Sequence, residues 1–206
     1  MVELEEFFKA TALGLRVKGG VVLATDKRLT LGDFVVSRNA TKVFAIRDNI
    51  AVAFAGLYGD IAGLVRILEN DIKAYEVIAG SSLSIKAVAK RLSTLLYSYK
   101  MLPFIIEALV GGLEKTGEPR LFSLDSLGSL LEEDYVAIGS GAATALGLLE
   151  REYRNDLTLE EAEKLAIAAV RTAISRDAGS GDGIDVVTIT PQGVKRRSLT
   201  LRLVES

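Results

Sequence analysis

Whatever chemistry this chain performs, it performs without imidazole and without thiol. Its 206 residues include no His and no Cys, which removes disulfides, thiol nucleophiles, zinc–thiolate sites and every triad that uses histidine as base. A hydrolytic site built from the remaining residue types needs another base. An amine, from a lysine or a free N-terminus, is the natural substitute. Four places carry side chains suited to such a site. Asp26 closes the run VVLATD, Lys42 opens KVFAI, Ser140 lies between Gly139 and Gly141, and Asp177 and Ser180 share the segment RDAGS. Each also has an ordinary structural reading: a surface lysine at a strand start, a solvated Asp26-Lys27 turn pair, a serine capping a helix, a flexible glycine loop. The segment AGSGDG does not read as a phosphate cradle, because no Lys-Ser/Thr pair follows it.

The background composition is that of a folded protein. Apolar residues make up 49% of the chain and charged ones 25%, enough to bury a sizeable core in one domain and unlike a disordered segment. A net charge of −2 supplies no positive field for nucleic acid or an anionic membrane, so neither is expected as a partner. The opening MVELEEFF is acidic and lacks the cationic flank and apolar stretch of a signal peptide. A soluble protein of the cytoplasm is the expectation.

The elements that must hold those side chains follow from periodicity. TALGLRVK and VVLATD flank Gly19-Gly20 and read as a hairpin. KVFAI and IAVAFAG flank Arg47-Asp48-Asn49 in the same way, so the first quarter of the chain reads as an antiparallel meander. Ile61, Leu64, Val65, Leu68 and Ile72 then fall at helical spacing, with Asp60 as the expected N-cap and Gly80 as the stop. A second helix is expected from Ser84 to Tyr99, and strands at about 105–113, 120–125 and 133–138. Gly139-Ser140-Gly141 opens a third helix, and the capping box Thr158-Leu159-Glu160-Glu161 a fourth. Two strands close the chain at about 184–190 and 195–203. Hairpins of strands alternating with pairs of helices predict an α+β fold: a four-layer α/β/β/α sandwich of two antiparallel sheets between helix pairs.

That architecture is shared by the N-terminal-nucleophile hydrolases, and here a specific likeness emerges. TALGLRVKGGVVLATDKRLT, NATKVFAIRDNIAVAFAGLYGD, MLPFIIEALVGG, YVAIGSGA and SRDAGSGDGIDVVTIT resemble, in order and with few or no gaps, the β subunits of the archaeal-type 20S proteasome, a threonine peptidase family. The resemblance runs from about residue 10 to 190. It implies one β-type domain over 10–206, preceded by a short pro-segment, residues 1–9, that a zymogen would shed, with Phe7 and Phe8 in the substrate groove before cleavage. It implies stacked seven-membered rings with α-type and other β subunits, a regulatory ATPase docking on the α rings, unfolded polypeptide as substrate, and no cofactor or metal.

The family's nucleophile is a threonine at the start of the mature chain, whose own α-amine, titrating near pH 8, accepts the proton. The resemblance assigns Lys42 as the charge that activates the hydroxyl, Asp26 as its carboxylate partner, and Ser140, Asp177 and Ser180 as the polar set that orients the amine. It makes the Gly56 N–H the oxyanion donor. Leu29, Ala40, Phe54 and Tyr58 become an apolar specificity pocket, unless Phe54 simply fills core. In the family the nucleophile stands four positions before a glycine. The corresponding glycine is Gly14, and four positions before it is Ala10, with Thr11 next. Three readings stay open: a naturally silent subunit that builds the ring without cutting, an active threonine replaced by alanine, or cleavage that exposes Thr11 as nucleophile. The last meets an objection, because a one-residue shift along a strand turns the side chain to the opposite face. A plain α/β scaffold with no proteolytic ancestry requires instead that Asp26 and Lys42 lie apart.

Overall fold

A computed structural model describes residues 9–201. In chain order the elements are β1 (Ala12–Val17), β2 (Gly20–Asp26), β3 (Leu29–Leu31), β4 (Phe34–Ser37), β5 (Val43–Arg47), β6 (Ile50–Gly56), α1 (Tyr58–Ala79), α2 (Ile85–Ser98), β7 (Ile106–Leu113), β8 (Pro119–Leu124), β9 (Leu130–Glu132), β10 (Tyr135–Ile138), α3 (Ala142–Glu152), α4 (Leu159–Ile174), β11 (Gly183–Thr190) and β12 (Gly193–Thr200). One antiparallel sheet runs β10-β1-β2-β11-β12, the other β5-β6-β7-β8-β9, and β3 and β4 form a separate hairpin.

Three apolar cores separate four layers, as the alternation of helix pairs and hairpins predicts. Large side chains from α1 and α2, among them Leu64, Leu68, Ile72, Val88 and Leu92, pack on Val52, Phe54 and Val110 of the second sheet. Small ones from α4, Ala162, Ala166, Ala169 and Ala173, lie close on Leu13, Leu15, Val22 and Ile184 of the first. Between the sheets, Val21, Leu23, Val43, Ala53, Leu109, Leu121 and Val187 interdigitate with Ala10 and Ala12. Alternation along the start of the first strand follows: Ala10 and Ala12 face the middle core, while Leu13 and Leu15 face the helices.

Three expectations are corrected. The first quarter is not one meander: β2 pairs with β11 while β5 and β6 join the other sheet, because the two hairpins bury opposite faces against each other. The hairpin β3–β4 and the short β9 were not expected from periodicity. Asp60 does not cap α1. Leu57 holds the N-cap position with no side-chain bond, and the Asp60 carboxylate instead accepts the Ile105 N–H at 2.8 Å. Gly80 does end α1, in the left-handed conformation, and the Thr158–Glu161 capping box is formed on both sides.

Candidate active site

The site lies where β1 begins, β2 and β10 end, and the loop before β11 crosses them. Asp26 sits at the last position of β2 and is fully buried. Its Oδ1 accepts from Lys42 Nζ at 2.5 Å and from the Thr11 N–H at 3.0 Å. Its Oδ2 accepts from the Arg28 and Gly181 N–H groups, each at 2.9 Å. Lys42, only 2% exposed, also donates to the Arg28 carbonyl at 2.9 Å. Burying two opposite charges is tolerable only when they meet and their remaining hydrogen-bonding capacity is filled, and both conditions hold. The scaffold reading, which needed these two residues apart, is excluded by this pair.

A second polar chain runs alongside. Asp177 Oδ2 accepts from Ser140 Oγ at 2.7 Å and from Ser180 Oγ at 2.6 Å, and its Oδ1 accepts the Gly179 N–H at 3.1 Å. Ser180 Oγ lies 2.7 Å from Thr11 Oγ1. A serine hydroxyl has one hydrogen, and Ser180 spends its own on the carboxylate, so Thr11 is the donor in that pair. Ser140 likewise gives its hydrogen to Asp177 and accepts the Ala10 N–H at 3.2 Å. The amide of Ala10 thus occupies the place of the amine that this polar set would orient, but an amide nitrogen bonded to Lys9 is no base.

Two glycines allow the close backbone approach. Gly139 has φ +87°, and a Cβ there would stand 2.2 Å from the Ala10 carbonyl oxygen. Its N–H donates to the Glu107 carboxylate at 2.7 Å, which ties one sheet to the other; Glu107 was not anticipated from the sequence. Gly56 has φ +129°, and a Cβ there would meet the Ile105 carbonyl oxygen at 2.2 Å. Arg28 pins the loop before β11 through Asp182, with Nε to Oδ2 at 2.8 Å. This bond, with the nearby negative charges of Asp182, Asp26 and Asp177, keeps its guanidinium pKa above the ordinary value despite partial desolvation. It also supports Asp182 in a left-handed conformation at φ 65°.

The structure therefore brings Asp26, Lys42, Ser140, Asp177 and Ser180 together around residues 10 and 11. Ala10 is buried against the middle core. Thr11 points the other way: it is fully buried, and a Cβ at Gly141 would come within 2.0 Å of its hydroxyl oxygen. The groove beside Ser140, about 500 Å³, is lined by Lys9, Glu107, Gly139, Asp177 and Gly179 among others. Leu29, Ala40, Phe54 and Tyr58 are not on its walls. Phe54 is a core side chain under α1 and α2, edge-on to Phe44.

A two-sheet sandwich with a polar cluster at the start of its first strand defines the N-terminal-nucleophile class of hydrolase folds. The proteasome subunit family matches residues 8–189. The chain is 52% identical over 180 residues to proteasome subunit beta 1 of Hyperthermus butylicus, covering 87% of this chain and 88% of that one. It is 47% identical to proteasome subunit beta 1 of Desulfurococcus amylolyticus, covering 97% and 98%, and 43% identical to proteasome subunit beta 2 of Pyrobaculum neutrophilum, again covering 97% and 98%. The chain belongs to the proteasome subunit family, as a β-type subunit of the 20S core, and the family is one of threonine peptidases. Among the described residues no helix is long and apolar enough to cross a membrane.

Proposed function

We propose that this chain is a silent β subunit: it builds the proteasome core ring and does not itself cut peptides. The observation that carries the reading is the combination of a complete charged and polar setting with Ala10 at the nucleophile column. Alanine offers no oxygen to attack a carbonyl and no route to an acyl-enzyme. In this reading Asp26, Lys42, Gly56, Ser140, Asp177 and Ser180 are the family's catalytic surroundings, kept for the fold, and Leu29, Ala40 and Tyr58 the family's pocket column, with Phe54 given over to the core. Residues 1–9 are a segment that stays attached. Its aromatic pair, Phe7 and Phe8, lies outside the described residues. The partners are α-type subunits and catalytically competent β subunits in stacked seven-membered rings of the cytoplasm, serviced by an ATPase on the α rings and fed with unfolded polypeptide.

The competing reading, cleavage to expose Thr11, is disfavoured by the Thr11 side chain. It faces the helix layer, and its hydrogen is committed to Ser180. Co-assembly with an α-type and an active β subunit, followed by intact mass and covalent labelling with a peptide epoxyketone, decides between the two. The silent reading expects mass for residues 1–206 and no label on this chain. A mature chain beginning at Thr11 and carrying label there would overturn it. A species no larger than about a trimer by sedimentation under every condition would overturn the ring role.

A further inference from the structure

The residue before Ala10 is bound at both ends of its side chain. Lys9 Nζ donates to the Gly32 carbonyl at 2.9 Å and lies 3.2 Å from Asp33 Oδ1. Gly32 and Asp33 form the turn between β3 and β4, the hairpin that periodicity did not reveal. The stem of Lys9 lies flat on the loop before β11: a Cβ at Gly179 would come within 2.7 Å of Lys9 Cβ and 3.1 Å of its Cγ. The apolar stem thus covers Gly179, while the ammonium reaches the turn, as long cationic side chains do at a boundary. The adjoining Ala10 amide and carbonyl are held by Ser140 and by the close approach of Gly139.

The carboxylates on the groove walls do not compete for the Lys9 ammonium. Besides Lys9, the ionisable groups on the groove walls are Glu107 and Asp177, both carboxylates already committed to Gly139, Gly179 and the two serines. At the far end stands Asp33, exposed and placed to meet a cation.

We propose that Lys9 is a clasp: it keeps the chain seated from the β3–β4 turn across Gly179 to Ser140, and so holds one wall of the groove in place against a competing polypeptide. This rests on the silent reading, because a clasp matters only where the bond between Lys9 and Ala10 stays uncut. A competing polypeptide can take the path held by residues 9 and 10 only in the fraction of time the clasp is open, and its apparent affinity falls by that fraction.

Hydrogen exchange on the full-length chain tests this at the Ala10 and Thr11 amides. Lys9→Ala and, more weakly, Asp33→Asn should speed exchange there, by about fivefold for Lys9→Ala, the effect of losing one partly exposed ion pair and one charged hydrogen bond. Lys9→Arg, which keeps both stem and cation, should retain most of the protection. Lys9→Met, which keeps only the stem, should lose it, whereas a purely steric role for Lys9 would leave it intact. Labelled unfolded casein should bind the Lys9→Ala chain more tightly than the parent in the same proportion. Unchanged exchange in Lys9→Ala, or a Lys9→Met chain as protected as the parent, overturns the clasp. Intact mass on the same samples keeps the two readings separate. A full-length mass with unchanged exchange removes the clasp alone, whereas a chain starting at Ala10 or Thr11 removes the silent reading as well.

Discussion

Two buried carboxylates, one strand apart, show what distinguishes the candidate site from a structural ion pair. Asp26 and Asp185 are both fully buried. Asp26 meets a lysine that is itself buried and fills both oxygens, each with two donors. Asp185 meets Arg196 at 2.7 Å and Lys27 at 3.5 Å, whose side chains are 48% and 12% exposed, and its Oδ1 has no hydrogen-bond partner among the described residues. Arg196 also reaches Thr41, so the Asp185 cluster fastens β12 and β11 to the segment leading into Lys42. The first cluster sets a dry, fully saturated charge beside the start of β1. The second holds strands together with cations that solvent partly screens. A fold needs the second kind. The first kind is costly to keep, and on the silent reading its persistence fits descent from a site that worked.

The sharpest way to break this contrast is to return the missing oxygen. Ala10→Thr, co-assembled with α-type subunits, should lose the segment before residue 10, acquire an epoxyketone label on residue 10, and hydrolyse peptide. The gain over the parent should be at least about 10⁴-fold, the scale set when a nucleophile is removed from a working site. An Ala10→Thr chain that assembles yet stays uncut and inert would show that the Asp26 cluster, too, is merely structural.

Next in size is the stability of the first cluster. Lys42→Ala leaves Asp26 buried with no cation and should cost about 3–5 kcal/mol, lowering Tm by roughly 10 °C for a chain of this length. Asp185→Asn should cost less, about 1–3 kcal/mol, because its partners keep access to water and one oxygen gives up no hydrogen bond. Thermal unfolding of both variants side by side measures the gap. Equal losses would erase the distinction between the clusters.

Much of this arrangement was legible in the sequence, and the exceptions have physical causes. Helical spacing found α1 and α2 because their buried residues are mostly large and apolar, and the Thr158 capping box located α4 although its buried stripe is alanine but for Val170. Asp26, Lys42, Ser140, Asp177 and Ser180 were readable as a set only through the family likeness, since each alone looks like an ordinary surface or turn residue. The β3–β4 hairpin left little periodic trace because Leu31, Phe34 and Val36 are exposed on it, so alternation with burial fails. Asp60 looked like a cap by position, but the chain used its carboxylate across 45 residues to hold Ile105, a partner no local pattern specifies. Glu107 and Lys9 were invisible for the same reason: their partners are Gly139 and the turn at Gly32, fixed by the stacking of sheets and the placement of that hairpin.

The smallest expected effect separates Ala10 from Thr11. Thr11→Val keeps shape and β-branching and removes one hydroxyl. Ser180 loses a donor but keeps Asp177 as its acceptor, and no buried group is left wholly unpaired, so the cost should be about 1 kcal/mol. Introduced into the Ala10→Thr chain, the same change should leave peptide hydrolysis within about threefold of the single variant, because residue 11 faces the helices and residue 10 the middle core. If hydrolysis instead vanished while the chain still assembled and melted normally, Thr11 would belong to the chemistry. Thr11's bond to Ser180 would then be a relay to the orienting set rather than a packing contact, and the two faces of the first strand would not be as separate in function as they are in space.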